Sequence, residues 1–285
     1  MTSHCCIEVP EPAIHPLESH PDLVGLDYRA NADFMAKWRR TTNKVQFTSS
    51  NSEMTLTFKH FCAAFGPEGV YWVQHFLRAA FPDWTLPQEF YADLEVRLWP
   101  RRLRLKKHRF APSKARQAQL RRYVIQVGDD AVSHLSGQER GEAVGRLHAK
   151  LAASCKIWEG DTEPDAVIRL GQHLLVLVEA KRYSPLGTST RYDSARDQVI
   201  RNLDVAFATA NRAGIERAAV VVVGPSVPTD CCSWELVDRY QGNPVAIKEA
   251  LRFRGPREDV SDELVALMAR SLSRLTWDEL AALSQ

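Results

Sequence analysis

The sequence predicts an α/β fold, with a mixed central sheet flanked by helices. Three observations predict it. Residues 174–178 and 218–223 are unbroken apolar runs of strand length, as expected for strands covered on both faces. Between them, Val199, Leu203, Ala206, Phe207 and Ala210 recur at helical spacing within residues 188–213. Gly171-Gln172 separates the strand-like residues 165–170 and 173–181, and glycine supplies the positive φ of a tight hairpin turn. A hairpin, a helix and a further buried strand make an α/β arrangement.

In chain order, residues 1–22 contain Pro10, Pro12, Pro16 and Pro21 without periodicity, the pattern of a loosely ordered arm. Residues 23–130 form an N-terminal α+β region of no assigned fold. Within it, residues 27–40 suggest a helix with Phe34, Met35 and Trp38 inward, and residues 41–53 a polar loop. Residues 54–65 fit a strand or a helix. A turn at 66–69 precedes an amphipathic helix over 70–80, built on Val70, Val73, Phe76 and Leu77. Residues 131–285 form a second domain. It opens with a helix over about 136–154, followed by a first core strand at 156–158, the hairpin, the long helix and the strand at 218–223. Gly214 stops the long helix. Ser261 caps a helix running to about 274, and Thr276-Trp277-Asp278-Glu279 is a capping box for a last short helix.

The composition is that of a globular chain, 45% apolar and 25% charged. No apolar stretch reaches the roughly 20 residues of a membrane span, and the N-terminus lacks the basic and apolar regions of a secretory signal. A cytoplasmic protein is expected. The six cysteines form no C-x-x-C pair and are read as reduced thiols. Phosphate-binding, dinucleotide-binding, serine-hydrolase and zinc-protease motifs are all missing.

Charge is segregated. Residues 97–122 hold eleven Lys or Arg and no Asp or Glu, although the net charge is only +2, so the rest of the chain is net negative. Such a segment suits a polyanion partner, with Arg101, Arg102, Arg104, Lys106, Lys107 and Arg109 as phosphate-binding candidates. The bland alternative is a solvated linker.

The candidate chemistry lies at the hairpin. Along the second strand Leu175, Leu177, Glu179 and Lys181 share one face, so a carboxylate and an ammonium stand side by side at a strand end. The first strand brings Asp165 to the same end. Two carboxylates beside a lysine make a site for a hard cation. The alternative is a structural ion pair closing a strand.

Pro164-Asp165, thirteen intervening residues and then Glu179-Ala180-Lys181 resemble the motif of the PD-(D/E)xK nuclease superfamily. The resemblance covers about residues 136–225. It implies a restriction-endonuclease-like core and Mg²⁺-dependent hydrolysis of nucleic acid, expected to be DNA, with Mn²⁺ expected to substitute. It implies Asp165, Glu179 and the Ala180 carbonyl as metal ligands and Lys181 as the catalytic lysine. Glu142, in a Gly-Glu string like that of nuclease-related domains, and Gln198 on the following helix are implied as secondary catalytic residues. Glu139 is the rival to Glu142. A homodimer is compatible with this reading. The competing function is a nucleic-acid-binding protein on a nuclease-like scaffold that no longer cuts.

Overall fold

The computed structural model describes residues 20–41, 52–100, 137–139, 142, 163–182, 184–188, 197–227, 234–251 and 260–283. Five strands form one mixed sheet in chain order: β1 (Leu94–Leu98), β2 (Ala166–Leu170), β3 (Leu174–Ala180), β4 (Arg217–Gly224) and β5 (Leu272–Thr276). The β1–β2 and β2–β3 pairs are antiparallel, and β3–β4 and β4–β5 are parallel. All seven residues of β3 are buried, which is why that strand reads as a continuous apolar run until Glu179.

The hairpin loop is three residues, Gly171 to His173, rather than two. Leu170 pairs with Leu174, and the His173 N–H donates to the Leu170 carbonyl at 2.8 Å. Gly171 has φ of +49°, the conformation for which the sequence supplies glycine.

Alternation along the strands divides the core into two layers. Ile168, Val176, Val178, Val221 and Val223 face the N-terminal helices α1 (Ala32–Arg40), α2 (Glu53–Phe61) and α3 (Gly69–Ala80). Val167, Leu175, Leu177, Val220 and Val222 face α4 (Gln198–Ala213), α5 (Glu235–Tyr240), α6 (Pro244–Ala250) and α7 (Asp262–Arg270). Each fully buried Val or Leu contributes about 1.5–3 kcal/mol of transfer free energy. A last helix, α8 (Trp277–Ala282), opens with the expected capping box of Thr276 and Glu279.

Local signals explain the helix starts. Asn31, Ser52, Asp197 and Ser261 each accept a first-turn backbone N–H, and Gly214 ends α4 in the left-handed conformation. Residues 53–61, ambiguous in the sequence, are helical because Ser52 caps them and Leu56, Phe58 and Phe61 bury against the sheet.

Several expectations are corrected. The first helix starts at Ala32, not 27, because Asn31 is its cap in an extended conformation. The long helix starts at Gln198, not 188, for the same reason at Asp197. Residues 272–274, expected to end the helix capped by Ser261, belong instead to β5, because Ser271 ends α7 and Leu272 and Leu275 are drawn into the sheet beside β4. The strand beside β2 is β1, from the N-terminal region. Sheet and core therefore run across residue 130, the expected domain boundary. The strand expected at 156–158 and most of the helix expected at 136–154 lie outside the described residues, as do residues 1–19 of the expected arm. Among the described residues, no helix is long and apolar enough to cross a membrane.

Candidate active site

β2 and β3 are antiparallel, with Ala166 opposite Val178. That ladder ends at this pair, and Asp165 lies just beyond it. The Asp165 N–H donates to the Val178 carbonyl at 2.9 Å, one residue out of the register that pairs Val178 with Ala166. Glu179 shares the sheet face of Leu175 and Leu177, the one covered by α4.

Asp165 is held by two donors. The Ala180 N–H donates to Oδ2 at 2.8 Å, and the Trp99 indole N–H to Oδ1 at 3.2 Å. Glu179 is buried at 5% exposure and has three. Lys181 Nζ lies 2.9 Å from Oε1, Gln198 Nε2 also donates to Oε1, and Asn202 Nδ2 donates to Oε2 at 3.0 Å. Gln198 and Asn202 are one helical turn apart, so α4 presents both amides to one carboxylate. The helix start is itself fixed. Asp197 caps it, and the Tyr240 hydroxyl donates to Asp197 Oδ2 at 2.5 Å. Burial raises the Asp197 carboxyl above its ordinary range, partly offset by these donors.

Burial and the neighbouring Glu179 carboxylate push the Asp165 carboxyl up to about 7. Glu53 adds to the rise, while the Ala180 N–H and the Lys181 ammonium oppose it. Burial alone would lower the Lys181 amine, but Glu179, Asp165 and Glu53 outweigh burial and hold it above its ordinary value. Lys181 is therefore a permanent cation at neutral pH, not a proton acceptor. Its ammonium leaves the carboxylate pair short of positive charge, as the raised Asp165 records. That shortage, with carboxylate oxygens as donors, suits a divalent hard cation. Among the described residues, no group of three His, Cys, Asp or Glu side chains is placed to hold a metal.

The structure thus brings Asp165, Glu179, Lys181 and Gln198 together, with Ala180 between the two charged β3 residues and its N–H committed to Asp165. Glu142 is exposed and accepts a hydrogen bond from Gln138 at 3.1 Å. The acid that does stand among the site's charges is Glu53, the first residue of α2. Its Oε1 accepts the backbone N–H groups of Arg182 and Ser184 at 3.0 and 3.2 Å, and the Ser184 hydroxyl. Glu53 thereby fastens the segment that follows Lys181.

Three further contributors went unread in the sequence. Asn202 had a usable signal, its spacing of four from Gln198. Glu53 and Trp99 had none, because they reach the site across 129 and 66 positions of chain. Glu163 is fixed from α1, with Arg40 at 2.9 Å and Lys37 also paired to it.

Of the basic segment, Arg97 is described. It is committed to Asp33, with two guanidinium nitrogens on that carboxylate at 2.8–3.2 Å. The phosphate-binding candidates Arg101, Arg102, Arg104, Lys106, Lys107 and Arg109 lie outside the described residues. In comparisons with known proteins, the chain matches no family model, no curated protein and no solved structure.

Proposed function

We propose that this protein is a metal-dependent nuclease that hydrolyses phosphodiester bonds of nucleic acid, DNA first, on a restriction-endonuclease-like core. One observation carries the reading: at the end of a buried hairpin the Asp165 carboxylate, bonded to the Ala180 N–H, stands within electrostatic reach of the Glu179 carboxylate, which has the Lys181 ammonium at 2.9 Å. The surrounding arrangement supports it, since the hairpin is followed by a helix and a parallel strand whose helix adds Gln198 to the same carboxylate.

In this reading Asp165, Glu179 and the Ala180 carbonyl hold Mg²⁺, for which Mn²⁺ substitutes. When bound, the ion supplies Lewis-acid polarisation of the phosphate and a water of lowered pKa. The chain's own residues do the rest. Asp165 must shed its proton to bind a cation, so binding strengthens as pH rises through about 7. Gln198 and Asn202 fix Glu179 in one rotamer. Lys181, held protonated, donates hydrogen bonds to the charge that develops on the phosphate oxygens and orients the attacking water. The basic segment supplies affinity for phosphates.

Purified protein should digest at least one of duplex, branched, single-stranded DNA or RNA when Mg²⁺ or Mn²⁺ is added. Asp165→Ala, Glu179→Ala and Lys181→Ala should each abolish the cleavage while retaining binding. Binding without metal-dependent cleavage by the wild-type protein would select the non-cutting scaffold instead. Near wild-type turnover by the Asp165 variant would end the mechanism.

A further inference from the structure

Trp99 directly follows β1 and takes φ of +43°, the one positive φ at a non-glycine among the described residues. A bulky side chain there is strained, and such strain persists only where the surroundings over-determine it. Here they do. The Trp99 N–H donates to the Asp165 carbonyl at 2.9 Å, and the Trp99 carbonyl accepts from the Arg40 guanidinium at 2.8 Å. The ring is buried at 2% exposure, edge-on to Phe34. A glycine would turn the chain at this point without strain. What tryptophan adds is a ring that fills the core and one N–H, and that N–H is given to Asp165 Oδ1.

We propose that Trp99 is a positioning residue of the metal site: its indole N–H fixes the Asp165 carboxylate in the orientation that a cation shared with Glu179 requires. The inference rests on the metal-site reading above and deepens it. Asp165 precedes β2, where ladder pairing no longer restricts its side chain. One oxygen is taken by a backbone N–H from β3 and the other by Trp99. Two donors on two oxygens define the plane of the carboxylate, while each oxygen keeps a lone pair for an ion. With the Ala180 contact alone, the group could rotate about that single bond. Groups that orient a metal-binding carboxylate typically change metal affinity 10- to 100-fold when removed.

The test uses the full chain, without substrate, and reads Mn²⁺ affinity by calorimetry or electron paramagnetic resonance. Trp99→Phe keeps a buried ring and removes the N–H. Should that variant not fold, benzothienylalanine at position 99 keeps the bicyclic shape and also lacks the N–H. The expected result is 10- to 100-fold weaker Mn²⁺ binding. In the wild-type ¹⁵N spectrum, the indole cross-peak that the variant lacks should broaden selectively as Mn²⁺ is added. Cleavage by the variant should recover at saturating metal with the KM for nucleic acid unchanged, which a general loss of structure would not allow. Equal Mn²⁺ affinity in wild type and variant overturns the role of Trp99 and leaves the nuclease reading standing. Absence of Mn²⁺ binding by the wild type overturns the metal site itself.

Discussion

Replacing Asp165 by Asn should stabilise the metal-free protein, and increasingly so as pH rises. The folded state raises the Asp165 carboxyl from 3.8 to about 7 because burial and Glu179 disfavour its charge, with Glu53 adding and Lys181 and the Ala180 N–H opposing. The unfolded chain therefore releases this proton first. Stability is lost as pH rises from about 4, and the loss is complete above about 7. At 1.36 kcal/mol per pH unit, the ionised group costs the fold about 4 kcal/mol at pH 8 and about 2 kcal/mol at pH 5. Asn removes this cost but leaves one of the two donors, Trp99 Nε1 or the Ala180 N–H, without an acceptor, at about 1–3 kcal/mol. The net gain at pH 8 is then about 1–3 kcal/mol. The orphaned donor is the same at both pH values, so the variant's advantage should grow by about 2 kcal/mol between pH 5 and pH 8. Urea unfolding followed by tryptophan fluorescence, with EDTA present, measures it. A stability difference that stays flat between the two pH values would refute the electrostatic account of the site. Stability gained by removing a charge marks a residue kept for something other than folding.

Three further outcomes are expected. Lys181→Gln breaks a buried ion pair and leaves Glu179 uncompensated, so it should cost about 3–5 kcal/mol. The cost should be larger at pH 8 than at pH 6, because the lysine stays charged across that window while Asp165, whose charge it also offsets, ionises within it. Asn202→Ala should weaken Mn²⁺ binding 10- to 100-fold, and cost about 1 kcal/mol of stability by urea unfolding. Changing Arg101, Arg102, Arg104, Lys106 and Lys107 together to Gln should lower DNA affinity and flatten the log–log salt dependence by roughly 0.9 per lost phosphate contact. Titrations at several salt concentrations decide this, and an unchanged slope would return the segment to a solvated linker.

The parts of the fold that could be read in the sequence are those encoded locally. Residues 174–178 and 218–223 announce buried strands because a strand covered on both faces needs no polar alternation. The Thr276 capping box and the Gly214 stop are local chemistry and appear where expected. Glu179 and Lys181 are legible as a pair because strand alternation determines their relation, and one short loop returns the chain so that Asp165 can reach the Ala180 N–H between them. β1 was not. Its five residues, Leu94 to Leu98, become a strand by pairing with β2, a partner that sequence periodicity does not reveal. The first residues of β5, 272–274, read as the end of a helix because sheet pairing, not propensity, decides them. Glu53 and Trp99 belong to the site through contacts made only after distant segments meet.

β1 and β2 are neighbours in the sheet, yet the chain leaves the first at Trp99 and returns to the second at Asp165, 66 positions later. Both ends of this excursion are anchored, by backbone as well as side chain, at the candidate site. The contacts that join Trp99 to Asp165 therefore hold β1 against β2 and orient the carboxylate at the same time. A perturbation that loosened β1 from the sheet edge would thus reach the candidate site directly, because the last residue before the excursion and the first after it are bonded to each other there.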